Sequence, residues 1–202
     1  SLDGLKAERE RIDDYLKSKG YYNFNPDFLI FEADTNQYEN RRFDLFLRLK
    51  KDVPRNSLLP YALNEINVFP DYSLSAEEQT NDTVRLKGIS FIQKPEFFKP
   101  ERMAPYILFA KDQYYDPTLS KLTGNRLSSI GLYKFVNIKY DQVNESDSVS
   151  NILKLNANIY LSPLKKRSLR TELRAVTKSN GFAGPTLAVV YSDRNPFRGG
   201  ET

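Results

Sequence analysis

Apolar positions change period several times along the chain, and each change marks a new element. Leu2, Leu5, Ile12 and Leu16 recur at helical spacing among Lys6, Glu8, Arg9, Glu10, Arg11 and Asp13. That pattern predicts an amphipathic helix over Leu2–Lys19 burying one stripe, with Gly20 as its left-handed stop. Tyr21 to Phe31 reads as an aromatic strand, bent at Asn25-Pro26 because proline cannot donate to a ladder. Phe43, Leu45, Leu47 and Leu49 then alternate with Asp44, Phe46, Arg48 and Lys50, the pattern of a half-buried strand. The first unit is therefore helix, strand, strand.

Lys51 to Pro60, with two prolines, reads as a linker. Tyr61 to Phe69 starts a new strand, stopped by Pro70. Ser73 to Asp82 is polar and loop-like, and Val84 to Ile92 around Gly88 predicts a short hairpin. A helix is expected over Lys99–Lys111, with Pro100 in its first turn and Pro105 lying awkwardly inside it. Thr118 is positioned to cap a second helix whose apolar face is Leu119, Leu122, Leu127 and Ile130, ending at Gly131. Leu132–Tyr140 and Leu153–Leu161 alternate as strands on either side of an acidic, serine-rich turn from Asp141 to Asn151. The second unit reads strand, helix, helix, strand, strand. Its end repeats the first unit: Ile12 to Leu16 followed by Gly20-Tyr21-Tyr22-Asn23-Phe24 parallels Arg126 to Ile130 followed by Gly131-Leu132-Tyr133-Lys134-Phe135. The first unit thus looks like the last three elements of the module that the second contains whole.

From Ser168 onward, Leu169, Thr171, Leu173, Ala175 and Thr177 alternate with Arg170, Glu172, Arg174 and Val176. After a turn at Ser179-Asn180-Gly181, Leu187, Val189 and Tyr191 alternate with Ala188, Val190 and Ser192. Period-two strands of this length are the signature of a membrane barrel, although a soluble hairpin reads much the same.

Composition removes much chemistry. The 202 residues contain no cysteine and no histidine, which excludes thiolate nucleophiles, Cys/His zinc sites and imidazole-based triads. Thirty Lys and Arg against 26 Asp and Glu leave +4, too small an excess to imply nucleic acid by itself. Gly181, Gly184, Gly199 and Gly200 are turn glycines, since no Gly-Lys-Ser/Thr follows. The carboxylates Asp13-Asp14, Asp34 and Glu77-Glu78 fall on faces or loops expected to be exposed, where nothing would shift a pKa for acid–base work. Neither catalysis nor a cofactor or metal is expected.

Certain stretches carry a family likeness. Tyr114-Tyr115 leads into Leu119-Ser120-Lys121-Leu122-Thr123-Gly124-Asn125-Arg126-Leu127, then Gly131-Leu132-Tyr133-Lys134-Phe135-Val136-Asn137-Ile138. Leu161-Ser162-Pro163-Leu164-Lys165-Lys166 is followed by Ser179 to Pro185 and by Asp193-Arg194-Asn195-Pro196-Phe197-Arg198-Gly199-Gly200-Glu201. Together these resemble the BamA/TamA superfamily of outer-membrane assembly and translocation proteins, in a form similar to Bacteroidota members. Phe31-Glu32-Ala33-Asp34-Thr35 and Tyr61 to Tyr72 lean towards the TamA-like branch. Asp112 departs from the glycine common before the aromatic residue.

The resemblance implies an α+β chain of tandem POTRA modules (strand, helix, helix, strand, strand). Residues 1–54 would be the end of one module, 55–164 a complete module with an inserted hairpin, and 165–202 the first strands of the outer-membrane barrel. It also implies location on the periplasmic face of the outer membrane of a Gram-negative bacterium. The implied partners are unfolded outer-membrane or secreted polypeptides, periplasmic or lipoprotein accessory subunits, and the outer membrane itself through the downstream barrel.

An edge strand offers unpaired N–H and C=O groups to which a client chain can add. The strands expected to serve are Tyr21–Phe31 and Leu132–Tyr140, which makes Tyr22, Phe24, Tyr133, Phe135, Asn137 and Lys139 the candidate polypeptide-binding residues. The bland alternative is that these aromatics fill cores. Lys165, Lys166, Arg167, Arg170, Arg174 and Lys178 form a basic cluster where a membrane would begin, a candidate for the lipid interface or simply a solvated face. Two rival readings remain: a two-partner-secretion transporter of the same superfamily, and a basic α+β nucleic-acid-binding protein.

Overall fold

The computed structural model describes residues 2–35, 42–73, 82–95, 97–143, 151–177, 181 and 183–201. Most of the expected loop at Ser73–Asp82, the tip of the Asp141–Asn151 turn, Lys178 and the Ser179-Asn180 turn residues lie outside them. The fold is α+β, as expected.

Helix α1 spans Leu2–Ser18. Its stripe is only half-buried at Leu5, Ile12 and Leu16, and Leu2 is exposed. The buried residue is instead Asp13, held by Lys17 at 2.7 Å one turn later, so the expectation that Asp13 is exposed fails. Gly20 ends the helix with φ +98°. The strand expected from Tyr21 begins only at Leu29. Tyr21 to Asn25 is irregular, and Pro26–Phe28 forms a 3-10 turn capped by the Asn25 side chain, which accepts from the Asp27 N–H at 2.9 Å. Rings that the alternation assigned to a pleated surface are diverted inward, and the proline starts a helical turn. Strand β1 (Leu29–Asp34) then pairs antiparallel with β2 (Asp44–Leu49) in a two-stranded sheet. Both β1 and β2 therefore lie at an edge of that sheet, with no further described strand beside either.

After a 3-10 turn at Arg55–Ser57, β3 (Tyr61–Phe69) opens a sheet of five strands. Tyr61, Leu63, Ile66 and Val68 are buried, so alternation slips by one residue at Asn64-Glu65, the mark of a bulge. Strands β4 (Asp82–Leu86) and β5 (Ile89–Gln93) form the inserted hairpin. The expected helix over Lys99–Lys111 is short: α2 is Pro100–Met103, tightening into a 3-10 turn at Ala104–Tyr106. Pro105 cannot supply the N–H that a continuing helix requires.

Helix α3 runs Pro117–Ser129, and its first turn is capped by Asp116, whose carboxylate accepts from the Thr118 N–H at 2.7 Å. Thr118 is therefore inside the helix, not its cap; aspartate one residue before proline performs that role. Strands β6 (Tyr133–Val143) and β7 (Leu153–Pro163) follow as expected, each slightly longer. Sheet order is β4-β5-β3-β7-β6. The Leu153 N–H donates to Pro60 and the Tyr72 N–H to Leu161, so β3 and β7 run parallel; Leu164 N–H to Leu132 makes β6 and β7 antiparallel. The core sits on this sheet, with Leu155, Ala157, Ile159 and Leu161 of β7 fully buried. A mixed sheet of this kind needs a helical crossover between its parallel strands.

Strands β8 (Arg167–Thr177) and β9 (Ala183–Asp193) pair antiparallel over eleven positions as a separate two-stranded sheet. By compactness the chain forms two bodies: residues 1–66, 108–122 and 139–158, and residues 67–107, 123–138 and 159–202. Residues 1–54 lie wholly in the first and 165–202 wholly in the second, while 55–164 contributes to both. No helix among the described residues is long and apolar enough to cross a membrane, which bears on helices alone.

Candidate functional site

Two surfaces carry the candidate residues: the β6 edge and the β8–β9 hairpin. β6 is eleven residues long and ends the sheet order, with β7 on one side and no described strand on the other. The opposite edge, β4, has five residues and no candidate was assigned to it. Burial along β6 alternates in two phases. Tyr133 is buried, Lys134 and Phe135 are both exposed, and Val136, Ile138 and Tyr140 are then half-buried. Two successive outward residues are the mark of a bulge, which also discourages casual edge pairing.

Helix α3 lies close against the inward face at Gly124, where an added Cβ would sit 4.0 Å from Ile138 Cδ1. Phe135, Asn137 and Lys139 are exposed on the outward face. Phe135 is 61% exposed and carries the Lys134 ammonium 5.1 Å from its ring centroid.

Of the other three aromatic candidates, Phe24 and Tyr133 are core residues and Tyr22 is half-buried in a nest of rings. Tyr133 is 7% exposed, and its hydroxyl has no hydrogen-bond partner. Burial, assisted by the neighbouring charge of Asp71, pushes its phenol far above the ordinary tyrosine range. Phe24 is buried edge-on to Phe28. Tyr22 stands edge-on to Tyr61 at 5.8 Å and to Tyr115 at 4.9 Å, and tilted to Tyr140 at 5.9 Å. Desolvation raises Tyr115 and Tyr140 to about 12. Polar bonds extend this nest: Asn23 donates to the Tyr61 hydroxyl at 2.6 Å, and that hydroxyl donates to Gln142 at 3.1 Å. The structure thus unites Phe135, Asn137 and Lys139 on one exposed face and removes Tyr22, Phe24 and Tyr133 from it. Tyr22 and Phe24 are not on a strand at all.

In β8–β9, register sorts the side chains. Leu169 faces Tyr191, Thr171 faces Val189, Leu173 faces Leu187 and Ala175 faces Pro185 on one surface. That surface is in the open, with Leu173 77% and Leu187 67% exposed. Ser168 with Ser192, Arg170 with Val190, Glu172 with Ala188 and Arg174 with Thr186 form the other. There Glu172 is bridged by Arg170 at 2.6 Å and by Arg174.

The basic cluster is accordingly split. Arg170 and Arg174 sit opposite the leucines with a shared carboxylate, and Arg167 ends the apolar face in a 3.5 Å pair with Asp193. Lys165 and Lys166 are exposed just before the strand. The residue parity of Leu169 and Arg170 already encodes this sorting, which divides the cations expected to form one patch.

No family model and no curated protein matches the chain. Among solved structures it is similar to BamA from Haemophilus ducreyi lacking POTRA domains 1–3, with a TM-score of 0.50 and 9% identity over 98% of this chain and 29% of that one. POTRA domains 3–5 of Haemophilus influenzae BamA align with a TM-score of 0.38 and 14% identity over 76% of this chain and 45% of that one. The first likeness shows a shared fold; this chain spans less than a third of that structure's length.

Proposed function

We propose that the chain is the periplasmic POTRA region and the opening barrel strands of an outer-membrane assembly or translocation factor, which takes unfolded clients by strand addition at β6 and delivers them to the barrel. The observation that carries the reading is continuity: β7 ends at Pro163, and four residues on, at Arg167, begins a hairpin with one face apolar and open and the other polar. A soluble hairpin would bury its leucines, whereas lipid-facing and lumen-facing residues alternate in this way in a membrane barrel. An eleven-residue strand extends about 37 Å, or roughly 26 Å of height when tilted as barrel strands are. The fold shared with a BamA lacking POTRA domains 1–3 is in keeping with this reading.

On this reading β3, α2, α3, β6 and β7 are one POTRA module, with β4–β5 inserted. The sheet order leaves β6 as the long open edge, and main-chain bonding there would accept clients of any sequence. Pairing of Arg170 and Arg174 with Glu172 reduces the charge available to phosphates, which favours polypeptide over nucleic acid.

The test is a titration of peptides copied from barrel strands onto the chain, with prolines placed in turn at Asn137 and Ile138. N–H groups alternate in direction along a strand, so one proline removes an outward donor and the other a ladder donor. One folded variant with binding weakened about tenfold supports edge pairing, since a lost main-chain bond is worth about 1 kcal/mol and the proline ring adds a clash. Equal binding by both folded variants refutes it. Binding of generic DNA or RNA that falls steeply with salt, without peptide binding, would favour the nucleic-acid reading.

A further inference from the structure

Where the hairpin is rooted, the chain forms a cavity of about 480 Å³ whose lining includes Lys166, Arg194 and Arg198. No carboxylate lines it among the described residues. Its remaining wall is mainly apolar, formed by residues such as Phe97, Leu132 and Leu164. The volume is within the usual range for small-molecule sites, about 300–1,000 Å³.

The cationic side is set in place by the fold. Arg194 Nη1 donates to the Lys165 carbonyl at 3.0 Å and to Ser168 Oγ at 3.3 Å, which fixes the guanidinium and leaves its other donors for a ligand. The segment that carries it is tied down as well. Asn195 Nδ2 donates to the Phe97 carbonyl at 2.7 Å, its Oδ1 accepts from the Gly200 N–H at 3.0 Å, and the Lys99 N–H donates to Arg198 at 2.9 Å. Both ends of the Asn195 amide are thereby engaged in holding the segment, and the positive charge that faces a ligand comes from the cations. Phosphate suits such a site, because guanidinium donors match its oxygens and bind them with charge assistance.

We infer that this cavity binds the headgroup of an anionic phospholipid, with phosphate on Lys166 and Arg194 and the glycerol and first methylenes against Phe97, Leu132 and Leu164. This rests on the membrane reading of β8–β9. Lys166 precedes β8 and Arg194 follows β9, so the cationic lining lies at the end of the hairpin where the Arg167–Asp193 pair closes the apolar face. At that level an inserted hairpin meets headgroups. Inorganic phosphate shares the charged contacts but leaves the apolar wall empty.

The experiment titrates the 202-residue chain with monomeric dihexanoyl phosphatidylglycerol, dihexanoyl phosphatidylcholine and inorganic phosphate, following backbone NMR shifts. Phosphatidylglycerol should give saturable shifts at Leu132, Leu164 and Lys166. Lys166→Ala and Lys166→Glu should each weaken it by about tenfold or more, the cost of losing a charged hydrogen bond. Both variants leave the Arg194 anchor intact, and an unchanged urea midpoint confirms the fold.

The inference is overturned by any of four results: no saturable shift, no effect of charge reversal in folded protein, equal binding of phosphatidylcholine, or equal binding of inorganic phosphate. The last would make this a site for free anions. Barrel peptides titrated into the same sample report on β6 independently, so loss of the edge reading leaves the lipid result readable, and the reverse.

Discussion

Replacing Tyr22 by alanine separates packing from client contact at a residue whose sequence context points to both. The ring meets Tyr61, Tyr115 and Tyr140 with centroids 4.9–5.9 Å away. Each such pair contributes about 0.5–1.5 kcal/mol beyond buried area. Three pairs set an upper limit of about 4.5 kcal/mol, but they share partners, since Tyr115 also meets Tyr140 at 5.0 Å, so the sum overstates the loss. Tyr22 is half-buried, which places the truncation below the roughly 3–5 kcal/mol of a fully buried aromatic.

The expected destabilisation for Tyr22→Ala is about 3 kcal/mol in urea unfolding. Tyr22→Phe keeps the ring and should cost less than about 1 kcal/mol. A double-mutant cycle with Tyr115→Ala should return a coupling of about 1 kcal/mol. Barrel-peptide affinity of the folded Tyr22→Ala protein should be unchanged. A loss under about 0.5 kcal/mol, the level of an ordinary surface change, would refute the packing argument. So would a peptide affinity that collapses while the fold stays intact.

Further outcomes follow from the same geometry. Gly20→Ala should destabilise by about 1–3 kcal/mol in urea unfolding, because a left-handed backbone at φ +98° would carry a Cβ only 3.3 Å from Tyr114 and the Tyr61 carbonyl. Tyr115 and Tyr140 are raised from 10 to about 12 in the fold, so the native state holds protons that the unfolded chain releases. Their contribution is full below pH 10 and is lost as pH rises to about 12; urea midpoints should fall across that window, and less steeply in Tyr115→Phe and Tyr140→Phe. Leu173→Arg on the apolar face of β8 should weaken partition of the chain into lipid vesicles by about 2–4 kcal/mol, whereas Thr186→Arg on the opposite face should change it far less. Vesicle flotation that treats the two alike would count against a lipid-facing side.

The local pattern along the chain determined the elements whose residues answer only to their neighbours. Helix α1 and its Gly20 stop, the β6–β7 pair, and the β8–β9 alternation follow from periodicity and from glycine's tolerance of positive φ. Even the two faces of the hairpin were implicit, since strand side chains alternate regardless of surroundings. What required tertiary structure was the destination of rings and edges. Tyr22 and Phe24 carry the same aromatic signature as Phe135, yet the nest at Tyr61, Tyr115 and Tyr140 draws Tyr22 inward and prevents a strand before Leu29. A one-residue bulge at Lys134-Phe135 separates buried Tyr133 from exposed Asn137 and Lys139, and no local alternation announces it. The cavity at Lys166, Arg194 and Arg198 joins residues from both ends of a hairpin to Phe97 and Leu132, a convergence made by chain return. Periodicity reports which way a side chain leaves its own backbone; only packing decides what it meets there.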